Sequence, residues 1–156
     1  MTKNKKTWIV LGSVFGGLGT MALVCTIVLF FYNPFLSTRM VNYYSNDNNF
    51  QRYRATIKDY SKKEYGYLLF ESIYSLDNDL KAETTYDYAK IFSLDTKKTW
   101  NELNPSIGLQ IDFVGTFKIF FDGCPAAIVQ ICLNEKEILK YDEGKTSLIE
   151  WAKTIH

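Results

Sequence analysis

The sequence predicts an N-terminal transmembrane helix followed by one mainly β domain. That domain is expected to be a small five-stranded barrel with a short helix between its third and fourth strands and a second helix at the C-terminus. Three observations carry this expectation. Residues 9–31 run for 23 residues without a charge. Five later runs alternate apolar and polar residues with period two, and two stretches combine helix-start signals with apolar residues at helical spacing. The chain divides accordingly into a basic tail (1–7), a membrane span (8–32), a tether (33–42) and an extracytoplasmic domain (43–156).

A length of 156 residues leaves room for one domain and one extra element. At 47% hydrophobic and 22% charged residues the chain is globular rather than disordered. The net charge of +1 averages two unlike regions. Lys3, Lys5 and Lys6 precede the apolar run; without them 15 of the 18 basic residues face 17 acidic ones, leaving about −2 on the body. That is a poor footprint for a nucleic-acid binder, which needs a basic surface to release counterions.

As a helix, residues 9–31 span about 35 Å, enough to cross a hydrocarbon core of about 30 Å with some tilt. Trp8 and Tyr32 stand at its ends, where amphipathic rings favour the interface, and Asn33-Pro34 stops the helix. Three lysines before the run and only Arg39 close behind it predict a cytoplasmic N-terminus and an outward-facing body in a single-pass cell-membrane protein. The run is long for a signal-peptide core, and "YNPFLSTRM" behind it holds no small-x-small cleavage site. Cys25 follows Val24 rather than a small residue, which argues against a lipoprotein signal. Gly12, Gly16 and Thr20 form a small-residue stripe through which two helices could associate, for instance as a homodimer. The plainer reading, that glycines are frequent in single spans, is preferred.

In the first β run Tyr53, Ala55 and Ile57 share one face, and Arg52, Arg54, Thr56 and Lys58 the other. The second (residues 67–74) sets Leu68, Phe70 and Tyr74 against Leu69 and Ile73. The third (86–94) aligns Tyr86, Tyr88, Phe92 and Leu94. Thr99 and Glu102 have capping-box spacing, Trp100 and Leu103 point inward, and Asn104-Pro105 ends the short helix. The fourth run sets Leu109, Ile111 and Phe113 against Gln110 and Asp112, with Gly115 marking a bulge or bend. The fifth buries Ala127, Val129, Ile131 and Leu133. A second capping box, Ser147 with Glu150, leads a helix whose Leu148, Trp151, Ala152 and Ile155 make one stripe.

Three strands, a helix and two strands is an order that resembles the oligonucleotide/oligosaccharide-binding (OB) fold. "YYSNDNNF", "DGCPAAIVQI" and "LIEWAKTI" are in addition similar to segments of small, mostly uncharacterised single-pass membrane proteins of Gram-positive bacteria that carry an outward domain of this kind. The resemblance covers residues 43–155 and its motifs are structural. It implies a fold and a location, and no activity.

No catalytic constellation is read from the sequence. The single histidine is the C-terminal His156, which leaves Cys132 without the partner a sortase needs. Ser37 lacks the Ser-Met box of signal peptidases, and no P-loop, G-x-S-x-G or H-E-x-x-H occurs. Carboxylates in "SLDNDLKAE" and "YDEG" show no spacing that would face two across a sugar. Cys124 and Cys132 on one strand would lie roughly 26 Å apart, far beyond disulfide reach, so free thiols are expected. Asp47 among its asparagines lacks the glycine and closing glutamate of a calcium loop, and Asx turns explain the cluster. No metal and no cofactor is expected.

The surface that remains is cationic and aromatic. Arg52, Arg54, Lys58, Tyr60, Tyr65 and Tyr67 could stack sugars or engage an envelope polymer or protein partner; a solvated strand face whose charges deter edge pairing is the competing explanation. The expected function is a membrane-anchored binding module, not an enzyme. The alternatives are an accessory subunit of a membrane complex that associates through its span, and a small envelope hydrolase.

Overall fold

The structure, a computed structural model, describes residues 35–61, 63–77 and 88–155. Its elements in order are α1 (Leu36–Ser45), a 3-10 turn (Asp47–Asn49), β1 (Gln51–Tyr60), β2 (Tyr67–Ser75), β3 (Ala89–Ile91), α2 (Thr96–Leu103), β4 (Gln110–Thr116), β5 (Ala126–Leu133), β6 (Lys136–Leu139) and α3 (Tyr141–Lys153). β1 pairs antiparallel with β2 and β4, and β4 with β5. β3 pairs antiparallel with β2 and parallel with β5, so the sheet closes along the path β1-β2-β3-β5-β4-β1. This is an OB-like barrel, with β6 added as a hairpin on β5. Among the described residues no helix is long and apolar enough to cross a membrane; residues 9–31, with Gly12, Gly16 and Thr20, lie outside them, as does Tyr86.

β1 follows its alternation as far as Ile57, and β4 as far as Val114. Tyr53, Ala55, Ile57, Ile111 and Phe113 fill the barrel, while Arg52, Arg54, Lys58 and Gln110 face solvent. In β2 and β5 a bulge reverses the alternation partway along the strand. Thr56 faces Ser72 but Ile57 faces Phe70, so Glu71 is the extra residue. Beyond it Ile73 turns inward and Tyr74 outward, the reverse of the expected faces. Likewise Val114 faces Gln130 but Gly115 faces Ile128, so Val129 is extra, at the bend expected near Gly115. Ala127 and Val129 therefore pack outward under the helices while Ile131 packs inward, where one shared face was expected. In β3 the inward residues are Ala89 and Ile91; Tyr88 and Leu94 are exposed, and Phe92 belongs to the helix layer.

The helices close the molecule. Trp100 and Leu103 of α2 plug one end of the barrel. The cap of α2 is Asp95, whose Oδ1 accepts from Lys98 N at 2.9 Å, so the helix starts before the expected Thr99 cap. Thr99 is instead buried, with its hydroxyl 2.8 Å from that of Ser93. Asn104 ends α2 at φ 45°, as its Asn-Pro pair predicted. α3 begins at Tyr141 rather than at Ser147, which lies mid-helix, and Leu148 and Ala152 are buried as expected. The segment expected as a tether holds most of α1. Met40 and Tyr44 of α1 are fully buried against α3 and β5, and Ser37 Oγ donates to Ala152 O at 2.9 Å.

Candidate functional site: a polar groove across three strands

The strand register sets four side chains in one row on the outer face of the barrel. Tyr74 of β2 lies opposite Arg54 of β1, Arg54 opposite Asp112 of β4, and Asp112 opposite Cys132 of β5. Arg54 grips Asp112 through two parallel bonds, Nε to Oδ1 at 2.7 Å and Nη2 to Oδ2 at 2.8 Å. The fork lowers the Asp112 pKa below the usual carboxylate range and raises that of Arg54, so both groups hold their charges.

Around this pair lies a cavity of about 250 Å³ lined by Arg54, Gln110, Asp112, Cys132, Asn134 and Glu135. A smaller hollow of about 110 Å³ shares Asp112 and Cys132 and extends toward Arg52, Leu76 and Gln130. Together they form a shallow groove of mixed charge, rich in amide groups, with exposed Tyr74 beside its central pair. Burial, with Glu137 and Asp112 nearby, raises the Cys132 thiol above its ordinary pKa, which keeps it protonated and a poor nucleophile. Cys124 and Cys132 are free thiols. Among the described residues no group of His, Cys, Asp and Glu gathers as a metal site.

The six predicted contact residues separate into four places. Arg52 and Arg54 line the groove. Lys58 is exposed and is the extra residue of a second β1–β2 register shift, this time in β1. Tyr60 and Tyr65 pack edge-on against Trp100 at the α2 end, with ring centres 6.1 and 6.2 Å away. Tyr67 lies under the Lys90 ammonium, which also sits over Phe92 and Trp151 at 5.2 and 5.7 Å. The partners that sequence reasoning missed are Tyr74, hidden by the Glu71 bulge, and Asp112, which stood in plain alternation on the outer face of the fourth run.

The Asn/Asp cluster has a structural role. Asn46 Oδ1 accepts from Asn48 N at 3.0 Å, the expected Asx turn. Asp47 Oδ1 accepts from Tyr141 Oη at 2.7 Å and from Lys145 Nζ, whose ammonium also donates to Ser45 O at 3.0 Å. Hydrogen bonds from Lys145 and Tyr141 lower the Asp47 pKa and keep this clasp on α3 ionised.

Fold and site together define an OB-like barrel domain bearing a polar groove. Comparison with known protein families, curated proteins and solved structures finds no match for this chain. The likeness to Gram-positive single-pass proteins therefore rests on the quoted residues alone.

Proposed function

We propose that this chain is a membrane-anchored, extracytoplasmic binding module that holds an envelope glycan in the groove across β1, β4 and β5, beside Tyr74 of β2. The observation that carries the reading is the row of Tyr74, the Arg54–Asp112 fork and the surrounding amides. A sugar offers an apolar ring face for the tyrosine and hydroxyls that both give and accept hydrogen bonds. A carboxylate, a guanidinium and side-chain amides match that mixture. The cancelled charge of the fork, with Glu135 alongside, suits a neutral polyol better than a polyanion. The uncharged run of residues 9–31 behind three lysines supports the anchor and the outward orientation.

The test uses the full chain in nanodiscs, sedimented with purified cell-wall glycan. The wild-type chain is expected to co-sediment, and Asp112→Ala and Tyr74→Ala each to weaken binding about tenfold or more, the size of one lost charge-assisted hydrogen bond in the first and of one lost ring-stacking contact in the second. Cross-linking to a protein with no affinity for glycan would replace this reading with a protein-docking one. Full affinity in both variants would remove the groove from it.

A further inference from the structure

We infer that the end of the domain formed by the start of α1 and the finish of α3 rests on the bilayer, with the interfacial zone of the lipid as its occupant; this rests on the anchored reading above. Chain length is the first argument. Phe31 closes the uncharged run and α1 begins at Leu36. The four residue steps from Phe31 to Phe35 reach at most about 14 Å, and the polar headgroup zone of one leaflet takes up roughly 5–8 Å of that. The domain cannot retreat by unwinding a tether, because α1 is part of it: Met40 and Tyr44 are 0% exposed and Ser37 is bonded to Ala152.

The chemistry of that end matches the interface. Phe35 is 68% exposed, and Arg39, one helical turn on, is exposed beside it. Across from them α3 finishes with half-buried Trp151 and Ile155 and exposed Lys153, which pairs with Glu150 at 2.6 Å. An exposed aromatic ring beside cations is the composition that headgroups favour. The groove lies toward the other end of β5. α3 passes from β5 toward β3, with Gly144 against Val129 and Trp151 tilted against Phe92, whose N–H donates to Ile128 O. Cys132 is four residues beyond Ile128, about 13 Å along the strand, and the Asn134 and Glu135 turn lies further still. Seating the α1 and α3 end on lipid therefore turns the groove away from the membrane.

The test is amide NMR of the full chain in nanodiscs, with and without lipids carrying a gadolinium chelate on the headgroup. Signals of residues 36–39 and 153–155 should be lost to relaxation while those of Asn134 and Glu135 survive. The exposed pair Phe35→Ser with Arg39→Glu should restore part of the lost signal. Equal attenuation throughout the domain, or the strongest at Asn134 and Glu135, would overturn the inference and leave the anchor standing. A chain that stays outside the nanodisc altogether would overturn both.

Discussion

Glu135 adopts φ 65° and its neighbour Asn134 φ 50°, and together they make the two-residue turn from β5 into β6. A hairpin of this type favours Asn followed by Gly, and Asn134 suits the first position. Glu135 carries a Cβ into left-handed space at a cost of about 1 kcal/mol, with no glycine to relieve it. Its side chain lines the groove beside the Arg54–Asp112 fork. Strain of this kind at a pocket wall points to a side chain retained for what it contacts. Glu135→Gly is accordingly expected to raise unfolding stability by about 1 kcal/mol, read as a higher urea midpoint at unchanged slope, while weakening glycan binding. A stabilised variant with full affinity would separate the turn from the site. An unchanged midpoint would show that the β5–β6 turn relaxes around glutamate.

Among the elements, α3 makes the closest approach, because a Cβ on Gly144 would overlap the Val129 carbonyl. Two effects compete in Gly144→Ala. Alanine favours the helix by about 1 kcal/mol, whereas overpacking against fixed backbone costs about 1–3 kcal/mol or more. Backbone cannot step aside as a side-chain tip can, so the clash wins and a net loss of about 1–2 kcal/mol is expected in denaturant unfolding. Thr146→Ala, exposed on the same helix, should be neutral or slightly stabilising, and equal effects in the two variants would contradict the close packing. The elements also show what the sequence made legible. β1 and β4 alternate without a break over their buried stretches, and their faces were readable residue by residue. β2 and β5 change parity at Glu71 and Val129, and neither residue type signals a bulge, so Tyr74 was assigned to the wrong face. α1 was concealed because Leu36, Met40 and Tyr44 recur every four residues within a polar stretch bounded by Asn33-Pro34 and the asparagine cluster. Arg54 was readable as an outward-facing cation of the first run. Its partner Asp112 lies 58 positions away, and only the adjacency of β1 and β4 brings the two together.

For the whole molecule, the decisive feature is that β5 serves two cores. Ala126, Ile128 and Ile131 pack inside the barrel, and Ala127 and Val129 pack beneath α1 and α3. Loosening the helix layer therefore bares the back of a strand that also closes the barrel against β3 and β4. Met40 is fully buried in the helix layer, and Met40→Ala is expected to cost about 2–4 kcal/mol. Trp100 reports the barrel end and Trp151 the helix layer, so chains retaining one of these tryptophans, with Trp8→Phe, can follow the two cores separately. If the cores form one cooperative unit, both signals shift to the same lower midpoint in urea. If α1 is only a docked tether, Trp151 responds early and Trp100 keeps its wild-type midpoint. The shared strand, the bond from Ser37 to Ala152 and the Asp47 clasp on α3 all favour the coincident result. That coincidence would make α1 a structural part of the barrel domain, and the same rigidity would carry the α1–α3 end and the groove as one body.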